Sequence, residues 1–389
     1  MTRTWKKARA FSNLFIAAIV TAIPLAAAWQ VEVVDIGAPG KYTSMKIDKS
    51  GNLHVAYVPE GMGNPLKYAF RDRRLQRWFT MVVDERSAGA CSMVLDSQQH
   101  PHIAYTDYGS ASGSKLRYAH WNGKSWDKEA IRLSSDIIAY YNSIALGPND
   151  DPRISFYEYR GPKDSEVRIR LRTVMREGDQ WVARTVDPEE GSGKFNSMAA
   201  DALGRMHLAY ANVTTGDIRY AFWNGATWTR ENVETQQQAG AYVGYSTAIT
   251  LDKEGNPHIC YMDTNTPLLK YAVRKKDRWV IQPVDRLAAV GYPDRNSIVV
   301  DEEGHPFITY YDAGRSTLKI AYSDGTNWYS GVVDKGGGFT SSVQVSGGEV
   351  WISYADEAGA ALKVAYTDVR DLLEHSPALA DKSPAQARK

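Results

Sequence analysis

Cysteine is nearly absent: Cys91 and Cys260 are the only two in 389 residues, too few for a disulfide framework. A charge excess is missing too, since 46 Lys and Arg stand against 45 Asp and Glu. Phosphate backbones are held by clustered basic side chains, so the balance excludes a nucleic-acid partner. Phe is scarce, with 9 against 23 Tyr and 11 Trp, so most aromatic rings here carry a polar handle. No H-E-x-x-H, G-x-S-x-G, P-loop, C-x-x-C or EF-hand pattern occurs, and neither a metal nor a cofactor is expected. Beyond residue 28 no apolar run reaches the about 20 residues of a membrane span.

The one long apolar run is at the start. Met1 to Asn13 is polar and basic, and Leu14 to Ala28 is apolar and ends in Ala26-Ala27-Ala28. This is the layout of a secretory signal with a small-residue cleavage site. Residues 1–28 hold Arg3, Lys6, Lys7 and Arg9 and no acid, so the remainder carries 42 bases against 45 acids. The expected product is exported, periplasmic or secreted, without a membrane span, and monomeric.

Internal repetition organises the rest. One phrase recurs, anchored at Ser44, Ser92, Ser143, Ser197, Ala248, Ser297 and Ser342, a mean period of about 50 residues. Each copy has four strand-sized runs rich in Val, Ile, Tyr and Trp, parted by D-x-x-G and N-G turns. Four short strands per unit at this period predict an all-β, seven-bladed β-propeller. The last copy lacks its fourth strand after Leu362–Tyr366, and Trp29–Asp35 matches the missing piece, as Trp328–Asp334 shows. The N-terminal strand is therefore expected to complete blade 7, hiding the edges an open array would expose. The resulting division is a signal peptide over 1–28, a propeller over 29–368 and a mobile tail over 369–389.

Most recurrent side chains read as structural. A Trp opens each fourth strand (Trp29, Trp78, Trp126, Trp181, Trp228, Trp279, Trp328) and suits packing between blades. The His of the second strand (His54, His102, His207, His258) gives way to Arg153, Phe307 and Trp351 elsewhere, which argues against ligation or catalysis at that position. A base recurs in the third strand (Lys67, Arg117, Arg168, Arg219, Lys270, Lys319, Lys363). An acid closes the second strand (Asp107, Glu158, Asp263, Asp312, Asp356, with Asn212 in blade 4), and cross-strand ion pairs follow as the default. A ring of charge around the channel mouth is the functional alternative. Cys91, beside the blade 2 anchor, reads as a buried inert thiol.

A ligand site belongs where the copies differ, on loops carried by the frame. The D-x-x-G and N-G turns share one face and are short. The other face holds the irregular segments 133–142, 159–166, 235–245 and 287–296. These bring Tyr140, Tyr141, Tyr159, Arg160, Tyr242, Tyr245, Tyr292, Asp294 and Arg295 toward one mouth, a chemistry suited to a polar, stacking ligand such as a sugar. Asp107, Asp263 and Asp312 are further candidates, as ligand contacts or as members of a catalytic carboxylate pair.

Segments such as Gly255-Asn256-Pro257-His258-Ile259, and Tyr310-Tyr311-Asp312 followed by Leu318 to Tyr322, resemble the repeats of exported bacterial propellers of the Asp-box (BNR) and sialidase-like type. The resemblance spans about residues 29–368 and implies the architecture. The sialidase set of three Arg, a Tyr with a Glu, and an Asp has no counterpart here, so no activity comes with it. Trp121-Asn122-Gly123 and Trp223-Asn224-Gly225 are similar to turns of tandem propeller lectins.

The leading expectation is a propeller that binds a glycan or other small polar ligand on the irregular face. A glycoside hydrolase or polysaccharide lyase at the same mouth, and a scaffold for envelope proteins, are the alternatives, so whether the protein is an enzyme stays open at this point. Expression with export should yield a mature chain beginning at or just before Trp29, read by N-terminal sequencing. A product retaining residues 1–28 would exclude cleavage.

Overall fold

A computed structural model of the chain describes residues 23–24, 28–37, 40–59, 63–86, 88–109, 115–133, 137–160, 168–235, 245–291, 295–356 and 360–374. Seven antiparallel sheets follow one another around a central channel. Their innermost strands are Gly40–Ile47, Ala88–Leu95, Ile137–Leu146, Ser192–Ala200, Tyr245–Leu251, Ser297–Val300 and Ser341–Ser346, and each touches the next in a closed circle. The second strands, such as Leu53–Pro59 and Pro257–Asp263, are buried along their whole length. Gln30–Ile36 pairs antiparallel with Ala361–Asp368, so blade 7 is completed by the N-terminus as the repeat implied. Ile23–Pro24 lies parallel to the outer strand of blade 6, the Ala28 carbonyl accepts from the Thr367 hydroxyl at 3.2 Å, and the other residues of the expected signal are outside the described residues. Past residue 368 the chain continues as a short helix, Val369–Glu374, with Leu372 buried between blades 6 and 7. Among the described residues no helix is long and apolar enough to cross a membrane.

The hydrophobic core is divided into seven clusters, each shared by two consecutive blades. The recurrent Trp serves this packing. Trp126, Trp181, Trp279 and Trp328 meet edge-on the third-strand Tyr of the preceding blade (Tyr68, Tyr118, Tyr220, Tyr271), with centroids 5.1–5.4 Å apart.

Polar latches join the blades as well. At six of the seven seams the acid at the end of the outer strand reaches into the next blade, where it accepts from the second-strand Tyr and pairs with the third-strand base. Tyr57 donates to Asp35 at 2.6 Å, Tyr105 to Asp84 at 2.5 Å, Tyr210 to Asp187 at 2.8 Å and Tyr261 to Glu234 at 2.6 Å. Tyr310 with Asp285 and Tyr354 with Asp334 repeat the contact at 2.5 and 2.6 Å. Lys67, Arg117, Arg219, Lys270, Lys319 and Lys363 supply the charge. The third-strand bases are thus more than partners across one hairpin. Lys270 and Lys363 hold both the acid of their own blade and that of the preceding one. In blade 3 the equivalent base is Arg172, which pairs with Glu158, and not Arg168; the register shifts it four residues along.

The four recurrent His are held at Nδ1, where Tyr68, Tyr118, Tyr220 and Tyr271 contact the ring at 2.5–2.7 Å. The Asp that opens the preceding turn bonds Nε2 of His54, His102 and His258 at 3.2–3.4 Å and lies 3.7 Å from Nε2 of His207. Burial pushes all four imidazoles below their ordinary pKa.

The anchor Ser of each copy has a single purpose in the frame. Its Oγ accepts a backbone N–H of the next blade, from Met93 to Ser44, Ile144 to Ser92, Met198 to Ser143 and Ile249 to Ser197 at 3.0–3.3 Å. Val343 donates to Ser297 at 3.1 Å, and Met45 donates to Ser342 at 3.0 Å, which closes the circle. Only blade 5 departs, because Ala248 presents no hydroxyl to Ile298. The residue before the anchor runs a second circle in the opposite sense. Cys91, Asn142, Asn196, Thr247 and Asn296 each donate to a carbonyl of the preceding blade. Cys91 is therefore a member of a structural ring, with its thiol on the Tyr42 carbonyl at 3.6 Å.

Ala248→Ser should add the seventh hydroxyl acceptor and stabilise the protein by about 0.5–1.5 kcal/mol, read as a higher Tm; Ser44→Ala should cost a similar amount. Burial pushes the Cys91 thiol up to about 12 and raises that of Cys260 as well. Neither should react with a thiol reagent at about pH 8 until denaturant is added, because the thiolate is the reactive form. Rapid labelling of the native protein would overturn this assignment.

Candidate functional site

The channel holds a cavity of about 160 Å³ lined by one short stretch from every innermost strand, reaching from the tier of Phe195 and Arg295 past the anchors to Lys46 and Gln344. Its lining is hydroxyl- and amide-rich, and its only charged members are two cations, Lys46 and Arg295. Neither has a carboxylate partner among the described residues, and desolvation lowers the Lys46 ammonium.

Bulges shape this mouth. The innermost strands slip register at Gly40/Tyr42, Ala88/Cys91, Tyr140/Ser143, Lys194/Ser197 and Tyr245/Ala248. A bulge re-aims side chains and ends regular pairing. Three residues there adopt left-handed backbone, Tyr141 (φ 50°), Phe195 (φ 54°) and Ser246 (φ 57°). For bulky side chains that conformation is costly and concentrates at functional positions. All three sit two places before their blade's anchor. The same position around the circle reads Tyr42, Ala90, Tyr141, Phe195, Ser246, Arg295 and Thr340. A tier that the frame repeats seven times is thus filled by side chains of very different chemistry.

Arg295 is the centre of the tier. Its guanidinium lies 5.5 Å from the Tyr42 ring and 5.9 Å from Tyr141. Tyr141 continues to Phe195 at 5.0 Å, and Phe195 to Tyr245 at 5.1 Å. Lys194 lies over Phe195 and Tyr245 at 5.2 and 5.9 Å. On the far side Tyr108, 42% exposed, contacts Tyr42 and faces Tyr140 at 6.2 Å. Gly89 makes room for it, since a Cβ there would fall 2.2 Å from the Tyr108 ring. The result is an aromatic wall broken by cations, suited to stacking on a sugar ring and to holding an anion by a forked donor.

The structure brings together Tyr141, Tyr245 and Arg295 from the expected set, with Tyr140 at the edge. Tyr159 is half-buried within the second strand of blade 3. Arg160 ends the same strand, and its side chain is outside the described residues, as are Tyr242, Tyr292 and Asp294. Asp107, Asp263 and Asp312 are buried and engaged. Asp107 accepts from Gly109 N and lies 3.8 Å from Arg117. Asp263 holds Lys270 and Thr266, and Asp312 holds Arg315 and the Ala288 N–H. None of the three lines the channel cavity. Tyr42, Tyr108, Lys194, Phe195 and Lys46 were missed by motif reading. The signal that would have found Tyr42 and Phe195 is their shared offset from the anchor.

No protein-family model matches the chain, and no characterised protein matches it in sequence. Solved structures of similar shape exist. A polysaccharide lyase described as an ulvan lyase, bound to -[GlcA(1-4)Rha3S]-, superposes with TM-score 0.53 at 12% identity, covering 92% of this chain and 98% of its own. The Aleuria aurantia lectin in complex with Fucα1-6GlcNAc gives 0.52 at 13%, covering 77% and 98%. A Hadza microbial sialidase gives 0.52 at 11%, covering 80% and 74%. At these identities the likeness is one of fold.

Proposed function

We propose that this is an exported propeller that binds an acidic glycan at the irregular mouth of its channel. The observation that carries the reading is Arg295, set between Tyr42 and Tyr141 with no carboxylate partner among the described residues, in a described lining whose other charge is also positive. A neutral sugar would need the stacking rings alone. The uncompensated guanidinium selects a ligand that supplies the missing anion, such as a uronate carboxylate or a sulfate. The ligand bound to the lyase neighbour contains GlcA, a sugar acid, which supports this class on the same frame. Binding is favoured over hydrolysis because no Asp or Glu stands in the described lining, whereas a glycosidase needs two. The signal-peptide division of the chain belongs to the same proposal.

A glycan array of the mature protein, followed by calorimetry with uronate-containing oligosaccharides, tests it. Arg295→Gln should weaken binding at least about tenfold, equivalent to about 1.4 kcal/mol, and Tyr141→Ala should lose the stacking with the fold intact. Binding only to neutral sugars, or undiminished in Arg295→Gln, would overturn the acidic-ligand reading. Release of shortened oligosaccharides during incubation would replace it with an enzyme.

A further inference from the structure

The face opposite the mouth carries a second departure from the repeat, confined to blade 2. Every copy with a second-strand His places the Asp that opens the preceding turn near it. In blade 1 the residue paired across the next strand is Phe70, in blade 4 Phe222 and in blade 5 Val273. In blade 2 it is His120, whose ring lies 4.3 Å from His102. His100 in the turn, at the place His305 takes beside Asp301 in blade 6, brings a third imidazole, with Nδ1 3.7 Å from Asp96 Oδ2. His102 Nε2 lies 3.4 Å from the same oxygen.

We propose that Asp96, His100, His102 and His120 bind a divalent transition-metal ion of the zinc type. One ligand atom from each of Asp96, His102 and His120 falls within 4.8 Å of the others. Tetrahedral zinc with bonds of about 2.0–2.1 Å needs ligand atoms roughly 3.3 Å apart, so closure among these three, with His100 turning in from its place beside Asp96, completes the set. Three imidazoles and one carboxylate are a donor set that suits zinc, copper or nickel and not calcium or magnesium. The supporting contacts are already made. Asp96 Oδ1 accepts the His100 N–H at 2.7 Å, which leaves Oδ2 for the ion. His102 Nδ1 contacts the Tyr118 hydroxyl at 2.5 Å, which orients the ring and leaves Nε2 for the ion. Arg176, whose charge reaches His120, is paired with Glu129.

The site is on the turn face and independent of the glycan reading. Its test is a titration of the untagged, chelator-stripped full chain with zinc and, separately, nickel chloride, followed by calorimetry and thermal melting. One ion per chain should bind and raise Tm. His120→Phe installs what blades 1 and 4 carry at this position, so the fold accommodates it, and affinity should fall at least about tenfold. His100→Gln should weaken binding as well. His207→Phe, which removes an equally buried His in blade 4, should leave it unchanged. Absence of stoichiometric binding to either ion, unchanged affinity in both blade 2 variants, or equal loss in the blade 4 variant would overturn the site.

Discussion

The innermost strand of a blade has one edge that no neighbouring strand covers, and the structure is organised around satisfying it. Buried backbone N–H and C=O groups must find partners, and an open edge invites pairing with other chains. Here side chains do the work in two senses around the circle. The anchor Ser accepts an N–H from the blade ahead, while the residue before it donates to a carbonyl of the blade behind. Each contact contributes little alone, about 1 kcal/mol. Their value is geometric, because they fix the height of every strand relative to its neighbours. Met45 on Ser342 makes the last of these clasps between the chain's two ends, together with the N-terminal strand that fills blade 7.

The outer half of the molecule obeys a parallel rule. Each acid at the end of an outer strand satisfies a buried Tyr hydroxyl and a base in the following blade. The seam between blades 2 and 3 lacks the acid, since the outer strand there ends at Ala130, and the Tyr position is occupied by Phe156. Donor and acceptor are absent together, as expected when a lone buried hydroxyl would cost more than the latch contributes. The N-terminal strand behaves as any other outer strand. Asp35 latches Tyr57 and Lys67, and Glu32 clasps Arg71 and Trp78 as Glu231 clasps Arg274 and Trp279.

The period, the blade number and the N-terminal closure were legible because they depend on residues that recur, and so did the packing role of Trp. The mouth was less so. Bulges displace Tyr42, Tyr141 and Phe195 from the alternation that reveals which face a strand residue occupies, and the long second-to-third connection of blade 3 hid Arg172 behind Arg168. Asp107, Asp263 and Asp312 are polar residues at loop entrances, a pattern that looks like ligand chemistry. Their carboxylates turn inward because backbone N–H groups and bases of the frame need them. The histidines of blade 2 show a different blind spot. Comparing one column of the repeat marks His102 as replaceable, and only the register across two strands adds His120 to it.

A frame with sevenfold repetition offers seven equivalent positions at each height, and the chemistry at a height tells which task it serves. At the anchor height six of seven positions are Ser, so that tier is committed to closure. Two residues nearer the irregular face the same seven positions hold Tyr, Ala, Tyr, Phe, Ser, Arg and Thr. Stability alone does not demand that diversity, and it includes left-handed backbone under two aromatic side chains. A multivalent binder built on repetition would keep its contacts alike from blade to blade. Such an asymmetric tier is what the proposed single acidic ligand would require, with the guanidinium for its anion and the aromatic faces for its rings.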